Sequence, residues 1–220
     1  MDQARSAESN LAITFMSRTR CVLLLTVSVS YNSGMSDREK LAEMLRARSV
    51  RHGQFTLVSG RTSEWYIDAK LTTFTARAMP LVGRLFLEKI TERGWMPAAV
   101  GGLTMGADAI AASIAHESVE PRGGEGREID SFVIRKEAKK HGTKAFLEGL
   151  IDPAGKAVVV LDDVCTTGGS TITAIDRARE AGLLVLGAIC LVDREMGAEQ
   201  NIQELHGCPF DRVFRFRELV

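Results

Sequence analysis

Two adjacent carboxylates, Asp162 and Asp163, end the apolar run Val158-Val159-Val160-Leu161, and Val164-Cys165-Thr166-Thr167-Gly168-Gly169-Ser170-Thr171 follows. The apolar run has the character of a buried parallel strand. The hydroxyl and glycine residues after it lead into a helix. Ligands of open α/β sheets sit beyond the carboxyl ends of the strands, so this order puts both acids at the mouth of a site. Backbone N–H groups of residues 166–170 can converge on an anion at the start of the helix. Acids beside an anion cradle suit a sugar phosphate, with the carboxylates accepting ribose hydroxyls and the loop holding the phosphate. Paired acids or a Gly-Gly turn alone are commonplace, but the whole string is specific. It lacks the Lys of a Walker A loop and does not match the G-x-G-x-x-G dinucleotide fingerprint.

A second candidate is the basic run Arg135-Lys136-Glu137-Ala138-Lys139-Lys140-His141-Gly142. Such a run in isolation is a solvated loop. Beside a sugar-pyrophosphate site, its cations can neutralise a leaving anion and His141 can donate a hydrogen bond or proton. A loop that closes there also keeps water from an activated sugar.

The elements that must position these groups alternate. An apolar helical face at Leu81, Val82, Leu85, Phe86 and Ile90 ends at Gly94. Ala98-Ala99-Val100 reads as a strand running into a loop, Gly101 to Met105, and a helix through Ile110 and Ile114. Residues 121–127 are a Gly-rich loop, 129–134 a strand, and the basic loop continues to Gly149. The Asp162–Asp163 strand and its helix end near Gly182, and 183–192 is another strand. Earlier, Gln54 to Arg61 reads as a strand followed by a turn, and Trp65 to Ala69 as a second short strand, giving a small antiparallel pair. This pattern predicts an α/β fold: a mostly parallel twisted sheet flanked by helices, with a small N-terminal hood over about 35–75 and a core over about 76–220.

The 220 residues, 45% hydrophobic and 25% charged, suit one globular domain with a small appendage. Lys plus Arg and Asp plus Glu both number 28, so no net field draws the chain to nucleic acid or membrane. Four scattered cysteines suggest neither a zinc site nor a disulfide framework. Cys190 reads as core, and Cys165 as loop filler rather than a reactive thiol. Residues 1–34 do not conform to the rest. The apolar stretch from Cys21 to Val29 weakly resembles a signal peptide but is too short to span a bilayer. Ser36-Asp37-Arg38-Glu39 is a capping box, so a domain over 35–220 is expected to begin beside Met35, and 1–34 to be a disordered extension or the product of a misassigned start.

The Val158–Thr171 string resembles the phosphoribosyl-pyrophosphate (PRPP) motif of type I phosphoribosyltransferases. The 135–142 octapeptide, with Glu148-Gly149, resembles the catalytic loop of the orotate phosphoribosyltransferases. Leu191-Val192-Asp193-Arg194-Glu195 is similar to the segment where that family places an orotate-binding arginine. Ser59-Gly60-Arg61-Thr62-Ser63 and Tyr66-Ile67-Asp68-Ala69-Lys70 are similar to its hood. The resemblance covers about residues 36–220. It implies transfer of phosphoribose from PRPP to orotate in pyrimidine biosynthesis, with Mg2+ held by PRPP and water rather than by protein ligands. Lys139, His141, Asp162 and Asp163 would be catalytic. PRPP would meet Arg135, Lys136, Lys139, His141, Asp162, Asp163, and Val164, Cys165, Thr166, Thr167, Gly168, Gly169 and Ser170. Orotate would meet Thr166 and Arg194. Gly101 to Ala107 would lie along the pyrophosphate. The resemblance further implies a cytoplasmic homodimer with shared active sites. Val58 and Thr104-Met105 stand where many relatives carry lysines, and Lys70 is the residue that would restore some of that charge. The competing readings are a phosphoribosyltransferase for a purine base, a PRPP-sensing regulator and, on Cys21–Val29 alone, a secreted binding protein. The 135–142 loop and Arg194 argue against the first. The absence of a basic stripe or DNA-binding helix pair argues against the second.

Overall fold

A computed structural model describes residues 34–56, 62–119, 126–137 and 146–220. The expected extension falls outside them except for Gly34. Helix α1 (Asp37–Arg48) begins at the expected capping box: the Glu39 N–H donates to Ser36 Oγ (3.2 Å), and the Glu39 carboxylate accepts the Ser36 N–H (2.7 Å). Its apolar stripe buries Leu41 and Leu45 completely.

The hood is a separate two-stranded antiparallel sheet of β1 (Val50–Thr56) and β2 (Thr62–Ile67). Both strands begin earlier than their composition suggests. Pairing runs from Val50–Ile67 to Thr56–Thr62, broken by an irregularity between His52 and Phe55. The chain leaves β2 before Asp68 and Ala69 because they enter the short helix α2 (Lys70–Thr73), whose first N–H, that of Lys70, donates to Asp68 Oδ1 (3.1 Å).

The core sheet has six strands. In chain order they are β3 (Ala99–Leu103), β4 (Asp130–Ile134), β5 (Leu147–Glu148), β6 (Ala157–Cys165), β7 (Leu184–Asp193) and β8 (Phe210–Arg215). Their spatial order is β5-β4-β3-β6-β7-β8, parallel except for the antiparallel edge strand β5. Helix α3 (Met79–Glu92) carries the expected apolar face, and α4 (Asp108–Val119) and α5 (Gly169–Glu180) follow β3 and β6 as expected. A short α6 (Ala198–Gln200) widens into a π-helical turn over Asn201–Leu205.

The connection β3-α4-β4 moves one way across the sheet, whereas β6-α5-β7 moves the other. Right-handed crossovers then put α4 and α5 on opposite faces. Between β3 and β6 the strand order reverses, which opens a crevice at their carboxyl ends, where α/β sheets bind ligands. Val158 and Val160 face the same core cluster as Ala174, Ile175 and Ala178 of α5.

Gly101 and Gly102, expected in a loop, lie inside β3. A Cβ on either would sit 2.1 Å from the carbonyl oxygen of Phe132 or Leu161. These glycines let three strands draw together rather than admit a ligand. The two-residue β5, and β8 at the opposite edge, had no counterpart in the sequence reading.

Candidate active site

Successive residues of a strand point to opposite faces, and this divides the two acids. Asp162 turns down toward α5, where it is 7% exposed. Its Oδ2 accepts the Thr171 hydroxyl (2.7 Å), and its Oδ1 accepts the Asp163 N–H (3.0 Å). Burial first, and the Asp163 charge second, push the Asp162 carboxyl up to about 7, against the pull of those hydrogen bonds. Asp163 faces the hood side. Its Oδ1 accepts the Val164 N–H (3.0 Å), and its Oδ2 lies 3.6 Å from Lys70 Nζ. Lys70 also pairs with Asp68 at 2.8 Å. Burial would lower the Lys70 pKa, but the Asp68 hydrogen bond and the Asp163 charge together raise it.

Both acids line a cavity of about 150 Å3 together with Lys70, Lys136, Ser170 and the turn Leu103–Gly106. The turn approaches so closely that a Cβ on Gly106 would lie 2.4 Å from Asp163 Oδ1. The Thr104–Met105 peptide is cis, and Thr104 Oγ1 donates to Asp108 Oδ2 (2.6 Å). A neighbouring space of about 550 Å3 shares Thr104 and Lys136 with this cavity and adds Arg135 and Glu148.

The loop after β6 reaches α5 through Gly168, whose φ of +84° favours glycine. Gly169 and Ser170 are exposed at the helix start, and no side chain caps it. Their free N–H groups can hold an anion. Asn201 Nδ2 donates to the Thr167 carbonyl (2.8 Å) and fixes the loop from behind. Cys165 is the last residue of β6, not a loop residue. Its side chain is buried against Thr171 and Asp162, and the neighbouring Cys190 with burial raises its thiol pKa well above normal. It is therefore not a reactive thiol. Cys190 is in the core as expected.

Arg194 stands apart from that cavity, at the end of β7 and against the hood. Its Nη2 donates to Ser63 Oγ (3.1 Å) and to the Trp65 carbonyl (3.2 Å). Burial lowers its pKa. The structure thus gathers Lys70, Lys136, Asp162, Asp163 and Ser170 into one cavity, places Arg135 beside it, and sets Arg194 at the hood. Lys139, His141 and the Ser59-Gly60-Arg61 segment lie outside the described residues.

Several contributors were not found from the sequence. Thr171 could have been, since it follows the glycines by one helical step. Arg177 could not, and Gly106, expected along the pyrophosphate, was not expected against Asp163. Arg177 of α5 donates to the carbonyls of Arg135 and, at 3.1 Å, Lys136, and stacks 4.0 Å from the Phe146 ring centroid. It thereby ties the main chain at the start of the basic segment, and the Phe146 ring, to α5.

An α/β sheet whose switch point carries an acid pair and a glycine loop defines a phosphoribosyltransferase domain, and the phosphoribosyl transferase domain family matches residues 75–206. The chain is 42% identical over 182 residues to the orotate phosphoribosyltransferase of Corynebacterium glutamicum (strain R), covering 83% of this chain and 93% of that one. With the Aquifex aeolicus orotate phosphoribosyltransferase it shares 42% over 189 residues, covering 84% and 99%. It superposes with a TM-score of 0.68 on the Mycobacterium tuberculosis orotate phosphoribosyltransferase in complex with PRPP, at 38% identity and covering 84% of this chain and 99% of that one. The chain belongs to the orotate phosphoribosyltransferase family.

Proposed function

We propose that this protein transfers the 5-phosphoribosyl group of PRPP to orotate, releasing orotidine 5′-monophosphate and pyrophosphate. The observation that carries this is the acid pair at the switch point, facing the uncapped start of α5 across one cavity. Asp162 and Asp163 accept the ribose hydroxyls, and the N–H groups of residues 166–170 hold the 5′-phosphate. A ring nitrogen of orotate displaces pyrophosphate at the anomeric carbon, so no covalent enzyme intermediate is needed. Lys136, which lines both the cavity and the adjoining space, and Arg135 neutralise the departing charge. The family resemblance gives Lys139 and His141 the same task. Arg194 pairs with the planar anionic base, a match to guanidinium geometry.

Mg2+ would be held mainly by PRPP oxygens and water, with Asp163, the more exposed of the two acids, the carboxylate at hand. When bound, the ion offsets charge on the pyrophosphate. The family resemblance supports a cytoplasmic homodimer in which part of the 135–142 segment serves the neighbouring site. No helix among the described residues is long and apolar enough to cross a membrane.

The test follows orotate absorbance after adding PRPP and Mg2+, with Lys139→Ala in parallel. Orotate is expected to disappear only with both additions and to persist in the variant. Consumption of adenine or hypoxanthine instead would move the assignment to a purine base. Binding of PRPP without turnover of any base would make the chain a regulator.

A further inference from the structure

Two bonds from Nη2 hold Arg194 to the hood, yet they leave its plane free to swing about that nitrogen. Its Nε is buried without a hydrogen-bond partner, so it adds no restraint of its own on the plane. What restrains the plane is an aromatic face: the guanidinium carbon lies 4.9 Å from the centroid of the Phe216 ring. Phe216 opens a single 3-10 turn, Phe216–Glu218, directly after β8.

That ring is itself clamped. Arg215 and Arg217, its two neighbours, both pair with Glu195 Oε1, at 3.1 and 3.6 Å. Glu195 is the residue after Arg194, in the left-handed region at φ 57°. Its N–H donates to Asp193 Oδ1 (2.8 Å), and Asp193 is 3.4 Å from Arg212 of β8. Below, Glu218 accepts the Arg215 N–H (2.6 Å) and pairs with Arg38 of α1 (2.8 Å). Residues 193–195 and 215–218 are thus locked together, with Phe216 against the arginine.

We propose that Phe216 is a positioning residue for base recognition: clamped by the Arg215–Glu195–Arg217 pairs, its ring fixes the plane of the Arg194 guanidinium for orotate. The inference rests on the reading of Arg194 as the partner of orotate. In-plane contact with a planar anion needs the guanidinium oriented before the ligand arrives, and a stacked aromatic face supplies that orientation.

The test is steady-state kinetics with each substrate varied, for wild type and for Phe216→Leu, Phe216→Ala, Phe216→Trp and Arg194→Ala, beside the melting temperature of each. Loss of the ring in Phe216→Leu or Phe216→Ala is expected to raise KM for orotate about tenfold. KM for PRPP and the melting temperature stay at wild-type values. Phe216→Trp, which keeps an aromatic face, brings KM for orotate back to within about twofold of wild type. Wild-type KM for orotate in both Phe216→Leu and Phe216→Ala, when Arg194→Ala raises it, overturns the proposal and leaves the Arg194 reading intact. So does an equal rise in both KM values with a fall in melting temperature, which would be a folding effect. An unchanged KM for orotate in Arg194→Ala overturns the reading of that arginine and the proposal with it. Wild-type protein that consumes no orotate overturns the activity, and both readings fall.

Discussion

Asp162 is a carboxylate whose surroundings oppose its charge. Its pKa stands near 7 in the folded chain against an ordinary 3.8, so between those values the native state binds more protons than the unfolded chain. Stability from this group is therefore complete below about pH 4 and is lost as pH rises to about 7. We expect Asp162→Asn, which keeps the acceptor for the Asp163 N–H, to remove that loss. Thermal melts of the ligand-free protein at pH 5 and pH 8 should then differ less in the variant than in wild type. An identical difference would mean that Asp162 is already ionised at pH 5. The adjacency of the two acids was legible in the sequence, and their division between faces follows from the two-residue period of a strand. Their partners were not legible, because Thr171, Lys70 and Gly106 arrive from three separate elements. The same holds for Arg194: its charge and its place after a strand could be read, but not the Ser63, Trp65 and Phe216 contacts that hold it.

At the scale of elements, the turn after β3 presses on the strand beside it at Gly106. A methyl group there would displace the Asp163 carboxylate, since it would lie 2.4 Å from Oδ1 and 2.8 Å from Cγ. Gly106→Ala is expected to lower kcat/KM for PRPP by at least about tenfold while the melting temperature changes little. Retained activity would show that the turn yields instead of the acid. Helix α3 and strands β4, β6 and β7 were readable because the helical period or the apolar runs are strong. The glycines of β3 were misplaced because glycine usually signals a turn, whereas here it admits close neighbouring strands. Strand β5 is too short to have a period. Strand β8 hides its character behind Asp211 and Arg212, whose charges are answered by Arg93 at 2.7 Å and by Glu199 of α6.

At the scale of the whole molecule, α1 is built into the domain from its first turn. Arg84 of α3 joins Asp37 of α1 (2.6 Å) to Glu117 of α4 (3.1 Å). With the capping box complete at Ser36, a chain starting at Met35 is expected to melt at the full-length temperature and to turn over orotate at the full-length rate. Loss of either would give residues 1–34 a role. The opposite end of the described chain returns to the same helix. Arg38 donates to the Val213 carbonyl (3.2 Å) and pairs with Glu218, and Arg46 donates to the Glu218 carbonyl (2.7 Å). These contacts span more than 170 residues, and folding that depends on distant partners is slow. During synthesis, helix α1 leaves the ribosome long before the residues that fasten it. A nascent chain therefore carries α1 without these partners until residues 213–218 have been made.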